Sequence, residues 1–348
     1  MSSLGSSEQF SSSNKGREFV ITGETLWNWW QWARQAAIAH HIPPTEADWL
    51  LQAIARLDRL EIWLGSFKHR EQVWLSVPGD ALESLWRQRL TQRVPVQYLA
   101  GQVPWREFML QVSPAVLIPR PETELIIDLA VELSETRNLG AGSWELGEMN
   151  QGIRGRASGM DSPAPSILDS LSPDPCPPHW ADLGTGSGAI ALGLAIAFPT
   201  ATIHAVDISG EALAIAQANA AAYHLTERVC FYQGSWLEPL AHLKKQLSGI
   251  VSNPPYIPCQ QVLELQPEVT RHEPHLALDG GSDGLDCIRH LIAIAPDYLR
   301  SGGVWLVEMM AGQAETVATL LEENSQYQGI QIHSDLAGIE RFASAYRR

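Results

Sequence analysis

Cysteine is scarce in this chain, with four in 348 residues (Cys176, Cys230, Cys259, Cys287), far apart and none in a Cys-x-x-Cys pair. That pattern indicates neither a disulfide framework nor a cysteine-bound zinc, and it fits a reducing compartment. Positive charge is also short: 24 Lys and Arg against 39 Asp and Glu leave a formal net charge of −15. A broad nucleic-acid surface needs clustered cations to displace counterions from phosphates, so that class is disfavoured and only a local basic patch stays open. No apolar run approaches the length of a membrane span, and the Ser-rich N-terminus lacks the apolar core of a leader, so a soluble cytoplasmic protein is expected. What is present is 45% hydrophobic residues, enough for a sizeable core in two domains or in one α/β domain with an appendage.

Residues 1–16 are polar and read as a disordered tail. Residues 17–93 carry helical periodicity and read as a small helical domain. Thr25 is expected to cap a helix through Leu26, Trp29, Trp30 and Ala33. Thr45-Glu46-Ala47-Asp48, after Pro43-Pro44, resembles a capping box opening a second helix. Nine of the thirteen tryptophans precede residue 110, read mainly as core packing, with an aromatic protein-binding face as the alternative. Residues 94–115, punctuated by Pro95, Gly101 and Pro104, read as a β-hairpin connector. From 116 a second domain is expected to begin with a short strand at Val116-Leu117-Ile118 and a helix from Pro121 to about Leu133. Between 135 and 179 periodicity gives way to Gly, Ser, Pro and Asp, the mark of a disordered insertion without chemistry of its own.

Beyond the insertion, Trp180-Ala181-Asp182-Leu183 leads into Gly184-Thr185-Gly186-Ser187-Gly188 and an apolar helix. Glycines permit positive φ and close approach of a ligand, and the helix start beyond them offers free N–H groups. The second strand ends in Asp207, where a carboxylate accepts both hydroxyls of a ribose or merely caps the next helix. Past the third strand, Trp236 either lies against an adenine ring or packs in the core. The fourth strand, Ile250-Val251-Ser252, breaks at Asn253-Pro254-Pro255-Tyr256. Pro254 restricts Asn253 to extended conformations, and two prolines without N–H groups leave carbonyl acceptors beside one side-chain amide. Such a site suits an NH2 donor. Four strand ends thus place these groups along one edge of a parallel sheet, where open α/β folds bind ligands.

Leu117 to Glu124, Asp182 to Gly188 and Val251 to Tyr256, with Glu273-Pro274, Gly280 to Asp286 and Asp335 to Arg341, resemble the peptide chain release factor glutamine N5-methyltransferases, the HemK/PrmC family. The resemblance implies a seven-stranded, Rossmann-like class I methyltransferase domain over 116–348 and S-adenosylmethionine as cofactor. Gly184 to Gly188, Asp207, Trp236 and Asn253 would hold that cofactor. It also implies release factors as protein substrate, their Gly-Gly-Gln glutamine as methyl acceptor, and a role in translation termination. Asn253 and the Pro254 carbonyl would accept the two amide hydrogens, with Pro255 and Tyr256 flanking the planar group. No metal is implied. Two departures stand out: the long insertion, and Glu308-Met309-Met310 where the family has Glu, an apolar residue and Gly. An adenine-N6 DNA or RNA methyltransferase offers the same two hydrogens to the same pocket and is the closest alternative. An inactive S-adenosylmethionine-binding interaction module is the more distant one.

Overall fold

A computed structural model describes residues 19–140 and 177–348, with side chains of the first stretch described to residue 136. The expected 1–16 tail and the central part of the expected insertion, 141–176, lie outside the described residues. Two compact units divide the chain at Ala100/Gly101.

The first unit is helical with one small sheet. Its elements are β1 (Phe19–Ile21), α1 (Gly23–Ala39), α2 (Thr45–Ala55), α3 (Arg59–Leu64), β2 (Val73–Leu75), α4 (Ala81–Arg87) and α5 (Val96–Ala100). Leu26, Trp30, Leu50, Ile54, Phe67 and Trp86 fill one core. Tryptophan packing accounts for most of the aromatic density, but Trp63 is 79% and Trp74 53% exposed. The caps differ from expectation. Thr22, not Thr25, caps α1 by accepting from Thr25 N at 3.2 Å. The Thr45 box does not form, because Asp48 is drawn away by Trp30 Nε1 at 2.7 Å and Arg34 at 2.6 Å; the capping box lies instead at Asp58 and Glu61. The segment expected as a hairpin from 94 first makes α5, whose opening turn uses the Pro95 carbonyl and which ends at Gly101 with φ +70°.

The hairpin proper, β3 (Gln102–Trp105) with β4 (Phe108–Gln111), belongs to the second unit. Val116 to Ile118 form no strand: Val116 N donates to the Ser113 carbonyl at 3.0 Å in a turn, and Pro119, which has no N–H, cannot carry a ladder onward. A single tight turn at Pro121–Glu124 then opens α6 (Leu125–Gly140), which runs past the expected end at Leu133 and into the range read as insertion. His179, also assigned to the insertion, already starts β5 (His179–Leu183).

The sheet continues with α7 (Ala189–Ala197), β6 (Thr202–Asp207), α8 (Gly210–Ala222), β7 (Val229–Gln233) and β8 (Leu247–Ser252). After the short α9 (Cys259–Val262) and α10 (Pro267–His272) come α11 (Asp286–Ile294), β9 (Leu299–Glu308), α12 (Ala314–Glu323), β10 (Tyr327–Ser334) and β11 (Glu340–Arg347). Strand order is β10-β11-β9-β8-β5-β6-β7, with β5 to β9 parallel and β11 antiparallel to both its neighbours, β9 and β10. The apolar runs of β8 and β9 are buried along almost their whole length, as helix-covered parallel strands require. This is the seven-stranded α/β architecture expected for residues 116–348.

Candidate active site

Chain order moves β5 to β6 to β7 in one direction and returns at β8 on the other side of β5, which opens a crevice at the carboxyl ends of β5 and β8. Leu183 and Ser252 are register partners there, and Ser252 Oγ donates to the Leu183 carbonyl at 2.6 Å. Gly184 and Asn253 therefore leave the sheet from paired positions.

The glycine turn is fixed from below. Gly184 N and Thr185 N donate to the Val206 carbonyl at 2.9 and 3.0 Å. Buried Asp182 accepts from Thr185 Oγ1 at 2.6 Å and Ala191 N at 3.0 Å, and burial pushes its carboxyl up to about 7. Gly184 and Gly186 sit at φ +75° and +54°, and a Cβ on either would meet nothing within 4 Å, so the turn faces open space. Gly188 differs: its backbone lies against α8, where a Cβ would come within 3.1 Å of Ala216.

Asp207 Oδ2 accepts from Gly186 N at 2.8 Å and Oδ1 from Ser209 N at 2.9 Å. Each oxygen keeps a lone pair for a ligand hydroxyl. Capping of α8 falls to Ser209, whose hydroxyl accepts from Ala212 N at 3.1 Å, so the reading of Asp207 as a mere helix cap does not apply. Trp236, half-buried with φ +49°, packs on the core and also lines the crevice. Asn253 Nδ2 donates to Thr123 Oγ1 at 3.3 Å.

Gly184, Gly186, Asp207, Trp236, Asn253 and Pro255 share the lining of one cleft of about 290 Å³. Thr185, Ser187, Gly188, Pro254 and Tyr256 are not in that lining: Thr185 and Ser187 are turned inward, and Pro254 is buried. The groups lining the cleft fit S-adenosylmethionine: an open glycine turn, a carboxylate with spare acceptor capacity and an aromatic face. Among the described residues no group of three or more His, Cys, Asp or Glu is arranged to hold a metal ion.

The family model described as the methyltransferase small domain matches residues 157–272. A release factor glutamine methyltransferase of Synechocystis sp. is 49% identical over 332 residues, covering 95% of this chain and 98% of that protein. The chain belongs to the release factor glutamine methyltransferase family. A second relative of that name, from Thermosynechococcus vestitus, is 42% identical over 93% of this chain and 99% of its own. Among solved structures, a release-factor-specific protein-(glutamine-N5) methyltransferase from Alicyclobacillus acidocaldarius is similar at 24% identity and a TM-score of 0.34, covering 69% of this chain and 99% of that one.

Several further residues of this chain join the site without a motif to announce them. Ile208, directly after Asp207, and Leu276 line the cleft while 55% and 65% exposed, an apolar surface that a ligand would cover. The only local signal was an apolar residue following a strand-end acid. Pro274, Leu276, Ala277 and Asp279 form one wall, and Ala115 to Leu117 another. Just beyond these walls, Arg120 donates to Glu273 Oε1 at 2.7 Å, and burial pushes the Glu273 carboxyl up against the opposing pull of Arg120. Glu308, at the end of β9, accepts the Tyr256 hydroxyl at 3.1 Å. The departing residue itself is Met310, whose N–H donates to Gln313 Oε1 at 2.9 Å, while Gln313 Nε2 donates to the Tyr256 carbonyl at 3.1 Å.

Proposed function

We propose that this chain transfers a methyl group from S-adenosylmethionine to the side-chain amide N5 of the glutamine in the Gly-Gly-Gln motif of peptide chain release factors. The observation that carries the reading is Asn253: it lines the cleft at the β5/β8 crossover, and its Nδ2 is already engaged by Thr123, which leaves Oδ1 as an acceptor.

An amide nitrogen is a weak nucleophile because its lone pair is delocalised into the carbonyl. Asn253 Oδ1 and the Pro254 carbonyl would each accept one amide hydrogen and orient the nitrogen, so that positioning rather than a covalent intermediate lowers the barrier. Pro255 would flank the planar amide and exclude water. When bound, S-adenosylmethionine supplies an electrophilic methyl on its sulfonium. Gly184 and Gly186 would floor its pocket, Asp207 would hold its ribose, and Trp236 with Ile208 would enclose its adenine.

The test is incubation with methyl-labelled S-adenosylmethionine and separate substrates: release factor, the same release factor with the motif glutamine replaced, and adenine-containing DNA and RNA. Label confined to the intact release factor is the expected result. Label in nucleic acid, or equal label in the glutamine-replaced factor, would overturn the reading.

A further inference from the structure

β3 and β4 form a two-stranded sheet, and in such an antiparallel pair alternate residues turn their N–H and C=O groups away from the partner strand. On β4 these are Met109 and Gln111, and α8 receives them in place of a strand. Tyr223, directly after α8, uses its hydroxyl to accept from Met109 N at 2.5 Å and to donate to the Met109 carbonyl at 3.3 Å. One turn earlier, Asn219 Oδ1 accepts from Gln111 N at 2.7 Å, and Nδ2 donates to the Gln111 carbonyl at 3.0 Å. Asn219 Nδ2 also donates to the Ser187 carbonyl at 2.8 Å, inside the glycine turn that floors the cleft.

Asn219 is 1% exposed in an alanine-rich helix, where a polar side chain is costly unless its hydrogen bonds are made. Turned end for end, its amide would set NH2 against the Gln111 N–H and its oxygen against two carbonyls, so one orientation fits. Both ends of this bridge lead to the cleft. After Gln111, Val112 N donates to the Gly101 carbonyl at 3.1 Å, and the Ser113 hydroxyl and carbonyl accept from Ala115 N and Val116 N at 3.2 and 3.0 Å. Ala115 to Leu117 then line the cleft. At the other end, Ser187 follows Gly186, which lines the cleft, and precedes Gly188, which packs on Ala216 one turn before Asn219.

We propose that Asn219 and Tyr223 are positioning residues: they make α8 a surrogate strand for β4, and through Asn219 they hold the Ala115 to Leu117 wall at a set distance from the glycine floor. Neither residue is in the cleft lining. The glycine floor carries the cofactor in the proposed reaction, so this tie sets where the cofactor's methyl lies relative to the wall. In-line transfer is sensitive to such spacing, since a displacement of about 1 Å costs about a hundredfold in rate. This inference rests on the proposed methyl transfer.

Single-turnover methylation by the full chain, at saturating S-adenosylmethionine and varied release factor, separates alignment from folding. The amplitude reports the fraction of competent enzyme, and the rate constant reports geometry. In Asn219→Ala the rate constant at saturation is expected to fall about tenfold to a hundredfold. KM for the release factor and cofactor affinity should change much less, because Asp207 and the Val206 carbonyl still hold the turn. Tyr223→Phe leaves the Ser187 bond intact and should lose about threefold to tenfold. Hydrogen exchange without acceptor should quicken at the Ala115 and Val116 N–H groups in both variants, and not at the amides of β5 and β8. A loss confined to amplitude or melting temperature, with the Asn219→Ala rate constant within about twofold of the parent, would overturn the proposal. Unchanged exchange at Ala115 and Val116 would do the same. Should Asn219→Ala fail to bind cofactor, Tyr223→Phe decides alone by the same two readings. A parent chain that leaves release factor unlabelled would instead refute the proposed activity, and the exchange measurement would still decide the tie.

Discussion

Asp207 divides its carboxylate between two backbone N–H groups, from Gly186 and Ser209, and so ties the glycine turn to the start of α8. Asp207→Ala should therefore act twice. Cofactor affinity should fall by about 1.5 to 3 kcal/mol for each charge-assisted ribose contact, a factor of ten or more, and the melting temperature should drop as well. Calorimetry and thermal denaturation read the two effects separately. Asn253→Ala should leave cofactor affinity close to normal and lower turnover by about 2.7 to 4 kcal/mol, on the order of a hundredfold. Asn253, Asp207 and the glycines were legible in the sequence because each is constrained locally, by a proline, a strand end or a positive φ. Thr123, Ile208 and Leu276 were not, because each reaches the cleft or Asn253 through the tertiary fold rather than through its neighbours in sequence.

Elements were legible to the extent that their periodicity was local. The strands β5 to β8 followed from pattern, while Val116 to Ile118 read as a strand by composition but enter a turn in which Val116 N donates to the Ser113 carbonyl. The walls of the cleft depend on Arg120 and Glu273, a pair no spacing reveals, since 153 positions separate them. Arg120→Ala would strand a buried carboxylate. The cost should be about 2 to 3 kcal/mol at pH 8, below the range for a fully buried pair because Arg120 keeps a third of its side chain in solvent, and smaller at pH 5, where Glu273 can stay neutral. Denaturant titrations at the two pH values check this.

Across β5, β6 and β7, His204 lies between His179 at 2.9 Å and the Tyr232 hydroxyl at 3.2 Å, with His242 nearby. Burial, then the neighbouring histidines, lower His204 to about 4. The unfolded chain takes up this proton near the ordinary value of 6.5 and the folded chain does not, so this contribution to stability is present above 6.5 and lost as pH falls toward 4. Asp182 and Glu308, both raised to about 7, act in the opposite direction over much of that window. The comparison of His204→Gln with the parent isolates the histidine: the variant should lose less stability between pH 6.5 and 4, measured by thermal unfolding.

At the scale of the whole molecule, the two units carry different chemistry. Every residue lining the cleft lies in 101–348, which has its own core. A fragment of 101–348 is expected to bind S-adenosylmethionine within a few-fold of the full chain and to methylate release factor poorly; full activity in the fragment would remove the first unit from substrate recognition. Replacing 141–176, read from the sequence as an insertion without chemistry of its own, by a short Gly/Ser linker should leave melting temperature and turnover nearly unchanged. A cooperative loss of folding would refute that.

The strand at residues 340–347 does not lie at the edge of the sheet. β11 is inserted between β9 and β10, so residues 340–347 close a gap whose two banks are synthesised earlier. Without those residues, β9 would present the bare ladder of Val304 to Glu308 to any passing chain. A premature stop after Gly338 would remove no cleft residue, yet it should yield aggregate rather than a weakened enzyme.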